Sequence, residues 1–303
     1  PRASNESNFA LRALVGEDNF YGGYSDAEHE SLLLIQSLLQ DSKFNGPSIR
    51  QIEKADAILV IGEDLTNIAP RIALALRQSV RQKALELAEA NRIPNWQDAA
   101  VRELAQHELS PLSLLTPYAT RLEDIARISV IDSLDALVSL GDDIAEAIKG
   151  DQGNGAVSNA ETIASELLAA KRPLIIAGTT AGDINTLKVA ANIATALYSK
   201  KSAAIDLCLT VAEVNTVGAS LLAKPENSLG RALKQLTEGA VKNVIIIEND
   251  LYQRADTDTV SKALAAASAV AVVDSLPNKT TDSATLVLPA TAFSEHEATY
   301  INY

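Results

Sequence analysis

Residues Ala57-Ile58-Leu59-Val60-Ile61-Gly62 form an unbroken apolar run that ends in glycine. Such a run offers no polar side to water, so it reads as a strand buried on both faces in the interior of a parallel sheet. A strand of that kind must be followed by a crossover, usually a helix. The sequence supplies one. Pro70 stands where a first helical turn has no N–H to lose. Ile72, Leu76, Val80, Ala84 and Leu87 then recur at three- and four-residue spacing, which places them on one face of one helix. Arg77 and Arg81 fall on its other side, as a solvated face or a partner contact.

The pattern repeats along the chain. Apolar runs predict strands over 112–116, 173–178, 203–209, 241–247, 269–274 and 285–288. Helical periodicity is read over 5–15, 26–40, 48–54, 95–106, 132–149, 183–198, 228–236 and 257–267. Strand–helix alternation with apolar strands implies an α/β fold, with a parallel sheet covered by helices on both faces. The polar, Gly-rich stretch from Gly150 to Asn159 is the expected boundary, dividing the chain into 1–152 and 153–303. The first ~20 residues are candidates to pack with the second half. Ser158-Asn159-Ala160-Glu161 has the form of a capping box for the next helix.

Composition excludes several classes of function. Lys and Arg number 26 against 39 Asp and Glu, a net charge of −13. That balance repels phosphate backbones and anionic headgroups, so nucleic acid is not an expected partner and neither is a lipid surface. The single cysteine, Cys208, cannot build an iron–sulfur cluster or a thiolate zinc site, and its flank reads as a buried strand in a reduced compartment. No apolar run approaches the ~18 residues of a membrane span, so direct membrane insertion is not expected. The chain opens at Pro1 without a signal peptide and contains no methionine, so it is expected to be a soluble internal piece whose natural start lies upstream.

Open parallel sheets bind ligands at the carboxyl ends of their strands. There the sequence places Gly62-Glu63-Asp64, Thr116, Gly178-Thr179-Thr180-Ala181-Gly182-Asp183, Glu248-Asn249-Asp250 and Asp274. No G-x-G-x-x-G follows a strand, and the loop at Gly178 lacks the G-K-[ST] of a phosphate-binding loop. Carboxylates stand where amides and a lysine would be wanted. Two unit charges ~4 Å apart at an effective dielectric of ~20 interact by about 4 kcal/mol. A helix terminus contributes only about 0.3–1 kcal/mol at an exposed site. Three readings remain for the acids: Asp64 and Asp183 as helix caps, Glu63, Asp64, Glu248 and Asp274 as a divalent-cation site, and Asp274 as a ribose contact. His29, His107 and His296 are isolated in sequence and read as surface or interface residues.

Several segments resemble one family. Ser4-Asn5-Glu6-Ser7-Asn8-Phe9 with Gly16-Glu17-Asp18-Asn19 is similar to the T-N-E-E-N-Y…G-T-N-N stretch of molybdopterin oxidoreductases. Gly62 through Pro70 resembles their G-x-N-x-x-x-x-H-P. Asn278-Lys279-Thr280 with Ala284 through Pro289 resembles T-E-T…A-D-V-x-L-P, and Glu295 through Asn302 resembles E-x-x-G-T-x-x-N. The matches run in the family's order over nearly the whole chain. The resemblance implies the fold of formate dehydrogenase and DMSO reductase: two Rossmann-like parallel-sheet domains with helices on both faces.

The departures from the family pattern matter as much as the matches. Where the family's molybdenum ligand falls there is no thiol, and only Ser25 and Asp26 could serve. Asp64 stands for an Asn and Ala69 for a His. Thr116-Pro117-Tyr118 replaces the D-P-R that helps hold the cofactor's guanosine, and Glu248 replaces a Gly that lets backbone approach it. These departures, with Pro1 through Arg12, Asp56 through Glu63 and Arg121 through Ala126, resemble the branch of the family that serves bacterial NADH–quinone oxidoreductase (respiratory complex I) as its large iron–sulfur subunit. The resemblance implies a structural role without molybdopterin or metal in this chain. It also implies a vestigial crevice at Gly62, Glu63, Asp64, Thr116, Gly178, Asn249 and Asp274. It implies [4Fe-4S] and [2Fe-2S] clusters in an N-terminal part outside this chain. Its expected partners are other subunits of the peripheral arm, on the cytoplasmic side of the inner membrane. The alternatives are an active molybdopterin enzyme using Ser25 or Asp26, and a small-ligand or divalent-ion module.

Overall fold

The computed structural model describes residues 1–150 and 158–302. They fall into two compact units, one of residues 37–210 and one of residues 1–36 with 211–303.

The first unit holds a six-stranded sheet. Its strands are β1 (Phe44–Asn45), β2 (Ala57–Ile61), β3 (Leu112–Thr116), β4 (Ile128–Ile131), β5 (Pro173–Gly178) and β6 (Ile205–Thr210). They lie in the order β1-β6-β5-β2-β3-β4, every neighbouring pair parallel. The expectation for the apolar runs holds: every residue of β2, β3 and β5 is buried. Ile58, Val60, Leu114, Leu174, Ile176 and Cys208 share a core with Ile72, Leu76 and Val80 of the crossover. Burying one such aliphatic side chain stabilises the fold by roughly 1.5–3 kcal/mol. Against the opposite face lie the helices Leu134–Lys149, Asn159–Ala169 and Ile184–Lys201. Gly141 lets two of them approach, since a Cβ there would sit 2.7 Å from Val189 Cγ2.

The boundary expected at 152/153 lies outside the described residues. The strands flanking it, β2 to β4 and β5 to β6, belong to one sheet. The capping box expected at Ser158 is formed, with both reciprocal bonds to Glu161 present. The single helix expected to run from Pro70 past Leu87 is two, Pro70–Ser79 and Gln82–Ala90. The Val80 carbonyl accepts the Ser110 N–H at 2.8 Å. Ser110 Oγ in turn accepts the Lys83 N–H at 3.1 Å, which caps the second helix. Arg77 and Arg81 are paired within this unit, with Asp124 at 2.8 Å and Asp98 at 2.6 Å.

The second unit holds a three-stranded parallel sheet of β7 (Asn243–Ile247), β8 (Ala269–Asp274) and β9 (Leu286–Pro289), in that order. The helices Leu229–Thr237 and Thr257–Ala266 give Leu233, Leu236, Val260 and Ala263 to a core shared with Ile246, Val270 and Val272. The other face carries Ile245, Leu286 and Leu288, all exposed. Residues 1–36 belong to this unit. Among them is helix Asn5–Val15, capped by Ser4, whose Oγ accepts the Ser7 N–H at 3.1 Å.

Candidate functional site

In the six-stranded sheet the chain runs from β2 outward through β3 to β4, then returns to the other side of β2 for β5. The carboxyl ends of β2 and β5 are therefore the point where strand order reverses, the place a ligand takes in open α/β sheets. Gly62 leaves β2 with φ at +77°, and a Cβ on it would lie 3.1 Å from the Cβ of Ala181 in the loop after β5. The Gly62 backbone thus packs against the side chains of Ala181 and Thr186.

Glu63 lies in this meeting point, 1% exposed. Its Oε1 accepts the Thr180 N–H at 3.1 Å, and its Oε2 accepts the Thr180 hydroxyl. Gly178 provides the space: a Cβ there would come within 2.8 Å of the Glu63 carboxyl carbon and closer still to Thr210 Oγ1. Burial pushes the Glu63 carboxyl above the usual glutamate range, opposed by the hydrogen bonds from Thr180, Thr210 and Ala181. Asp64 is a cap, in line with the first of the three readings of the acids. It accepts the Thr66 N–H at 3.1 Å and the Asn67 amide at 2.6 Å. Asp183 caps Ile184–Lys201 by accepting the Asn185 N–H at 2.9 Å. Thr116 is buried at the end of β3, and its Oγ1 has no hydrogen-bond partner. The phenol of Tyr118 is raised by burial and then by the charges of Asp64 and Glu63.

The second unit has its own strand-end constellation. Asp274 accepts the Ser275 N–H at 2.8 Å, the Asn278 amide at 2.9 Å and Arg2 Nη2 at 3.2 Å. Arg2 Nε also donates to the Glu248 carbonyl at 2.9 Å. Glu248 sits at φ +45°, and burial, followed by the charge of Asp274, raises its carboxyl. Asn249 donates to the Gly23 carbonyl at 2.7 Å and accepts from Arg254 Nε at 3.2 Å, and Arg254 pairs with Glu213 at 2.5 Å.

The structure brings Gly62, Glu63, Asp64, Thr116 and Gly178 together in one unit, and Asn249 with Asp274 in the other. The four acids of the cation reading divide the same way, two to each unit. Among the described residues, no group of three or more His, Cys, Asp or Glu side chains is placed to hold a metal ion. Asp26 Oδ1 accepts the Gly230 N–H at 2.9 Å, at the start of helix Leu229–Thr237, and Ser25 Oγ accepts the Glu28 N–H at 3.2 Å. Cys208 is buried, and burial pushes its thiol up to about 12. His29 corrects the expectation of a surface residue. It is buried, stacked on Tyr24, with Nε2 2.7 Å from the Pro225 carbonyl.

Sequence reasoning placed Thr180 at a strand end without its partner, and gave no site role to Thr210, Arg2 or Asn278. Thr180 lies 117 residues from the carboxylate it holds, and Arg2 lies 272 from Asp274. Nothing local announces such pairs. Among the described residues no helix is long and apolar enough to cross a membrane.

The model of the molybdopterin oxidoreductase family matches residues 3–303. The G subunit of NADH-quinone oxidoreductase from Pseudomonas fluorescens is 42% identical over 308 residues, covering 100% of this chain and 34% of its own length. Its counterpart from Escherichia coli K12 is 40% identical over 310 residues with the same coverage. That of Salmonella typhimurium LT2 is 38% identical over 309 residues. The chain thus spans about a third of the length of the curated relatives it matches. A chain of the formyltransferase/hydrolase complex from Methylorubrum extorquens, solved with methylofuran, superposes with a TM-score of 0.56. It is 12% identical, over 95% of this chain and 76% of that one, a likeness of fold alone.

Proposed function

The chain belongs to the molybdopterin oxidoreductase family, and we propose that it is a supporting body of a polypeptide like the G subunit of NADH-quinone oxidoreductase, in which the pterin site has been given up. On this reading the fragment carries no electrons. It braces a neighbouring part of the same polypeptide that holds [4Fe-4S] and [2Fe-2S] clusters. It also presents surfaces to other subunits of a peripheral arm that passes electrons from NADH to quinone. The assembly would sit on the cytoplasmic face of the inner membrane, and the fragment contributes contact rather than chemistry.

One observation carries the proposal. At the strand-order reversal, a built-in carboxylate already holds the loop amide and hydroxyl of Thr180. An anionic dinucleotide needs such donors for its phosphates. Here it would meet Glu63 and Asp64 instead, both buried. Repulsion of about 4 kcal/mol per close charge pair exceeds what a helix terminus offers. The positions nearest the family's metal ligand are also committed elsewhere, Asp26 to Gly230 and Ser25 to Glu28. We read these residues as unsuited to the group the family is named for, and derive no step through it.

The test is metal analysis of the full polypeptide together with thermal unfolding at saturating GDP. The expected result is no stoichiometric molybdenum and no shift, because a ligand bound only by the native state must raise its melting temperature. Molybdenum at one per chain, or a saturable shift with GDP, would overturn the proposal.

A further inference from the structure

The pair Asn45-Gly46 lies at the outer margin of the six-stranded sheet, where β1 stops. β1 is two residues long and among the described residues pairs only with β6. Phe44 stands opposite Ile205 and Asn45 opposite Asp206. Ile205 N–H donates to the Lys43 carbonyl at 2.9 Å. In a parallel ladder alternate residues turn their backbone to the same neighbour. Asn45 is therefore the next residue to face β6, its carbonyl towards the Leu207 N–H, and Gly46 turns its own N–H to the open edge.

Nothing among the described residues accepts that N–H. Pro47 follows and has no N–H to anchor the chain. The next backbone group held is the Ser48 N–H, which donates to Gln51 Oε1 at 2.7 Å. Asn45 and Gly46 are both exposed, and a Cβ on Gly46 would meet nothing within 4 Å. The Gly46 nitrogen is thus free, uncrowded and one residue from an amide side chain.

That juxtaposition has a chemistry of its own. The backbone nitrogen after an asparagine can close a ring on the side-chain carbonyl carbon. A Cβ on the following residue hinders the approach, and glycine has none. Asn45 must also turn its carbonyl out of the ladder, which costs least at the frayed end of an edge strand. Other asparagines lack one condition or the other. Asn8, Asn215 and Asn249 are buried, and the exposed Asn95 is followed by Trp96.

We infer that Asn45-Gly46 is a self-modification site, at which the Gly46 nitrogen attacks Asn45 Cγ and expels the side-chain nitrogen as ammonia. The N–Cγ bond forms as the Cγ–Nδ2 bond breaks, and the Gly46 proton leaves with the ammonia. Water then opens either carbonyl of the succinimide, leaving an aspartyl or isoaspartyl residue at position 45. Nothing is oxidised or reduced.

The product acts on the sheet. Burial raises the Asp206 carboxyl, and the Asn45 side chain opposes that rise. A carboxylate at position 45 replaces this support with a like charge at the paired position, which weakens the rung. The isoaspartyl form also inserts a methylene into the backbone and carries the carbonyl of position 45 away from Leu207. Conversion therefore loosens β1 from β6.

The experiment is incubation of the full polypeptide at mildly alkaline and at mildly acidic pH, followed by tryptic peptide masses against a zero-time sample. Lys43 and Arg50 bound a peptide of residues 44–50, and Arg92 and Arg102 bound a reference peptide of residues 93–102 that holds Asn95. A growing fraction of 44–50 is expected to gain about 1 Da, the exchange of ammonia for water, and to do so faster at alkaline pH. The reference peptide, and 44–50 from Gly46→Ala, should convert at least about 10-fold more slowly. Constant mass of 44–50 at alkaline pH overturns the inference. Equal conversion of the reference peptide or of Gly46→Ala also overturns it, because the glycine at the open edge then confers nothing. In the converted fraction the Leu207 amide should exchange with solvent faster than in fresh protein, while Ile58 of β2 is unchanged. Unchanged exchange at Leu207 overturns the loosening of β1.

Discussion

The two sheets use the same aliphatic alphabet and the same parallel arrangement, but they reach different degrees of completion. In the six-stranded sheet the central strands β2, β3 and β5 are buried at every residue. In the three-stranded sheet β8 alternates half-buried with buried, and every residue of β9 is exposed. The first is a sheet with helices on both faces. The second has its helical core on one face only among the described residues. Side-chain chemistry alone does not separate them, because Leu-Val-Leu in β9 is as apolar as Leu-Val-Ile in β2. What separates them is whether another element covers the strand among the described residues.

That contrast can be broken by substitution. Leu76→Ala empties a fully buried position under the six-stranded sheet and is expected to cost about 2–5 kcal/mol. Leu286→Ala on the exposed β9 should cost less than about 1 kcal/mol in urea unfolding of this chain. Equal losses would mean that the two sheets are equally covered. A second substitution sharpens the comparison at the strand ends. Gly178→Ala drives a Cβ to 2.5 Å from the Thr210 carbonyl oxygen and 2.8 Å from the Glu63 carboxyl carbon. Overpacking of this kind costs about 1–3 kcal/mol, and a neutral result would show that Glu63 moves freely.

Glu63→Gln is expected to act through pH. Burial raises the folded-state carboxyl above its unfolded value, so the folded protein binds this proton more tightly than the unfolded chain does. Stability therefore falls as pH rises from the unfolded value of about 4.3 through the raised one, and the penalty persists above it. The amide removes the penalty. The variant should gain melting temperature over the parent at pH 8 and gain less, or nothing, at pH 4. A larger gain at pH 4 would refute the assignment. The smallest effect belongs to Arg77→Ala, whose pairing with Asp124 is part-exposed on both sides. About 0.5 kcal/mol, further reduced by salt, is the expected loss by chemical denaturation.

How much of this is legible in the sequence depends on whether the cause is local. The runs that form β2, β3, β5 and β6 can be read because burial on both faces keeps them mostly apolar, with only Ser113, Thr116, Asp206 and Thr210 as exceptions. β4 and the two-residue β1 escape notice because edge strands need no such run: β4 alternates half-buried with exposed. The helix interruption at Val80 is hidden because it depends on Ser110, distant in sequence, taking the carbonyl. Gly62, Glu63, Asp64, Thr116 and Gly178 can be placed at the strand ends from topology alone. Their partners cannot, since Thr180 and Thr210 become neighbours of Glu63 only when β5 and β6 enter the sheet. His29 reads as a surface residue because its stacking on Tyr24 and its contact with Pro225 are tertiary.

The bare rim at Leu286, Val287 and Leu288 has a consequence for how such a chain must live. Each of the three is about half exposed, at 52%, 48% and 46%, and among the described residues no ladder beyond β9 shields them. An oily, open edge of this sort is sticky towards its own kind. Left uncovered, it favours association between copies. The rim is therefore the part of this sheet with most to gain from being covered.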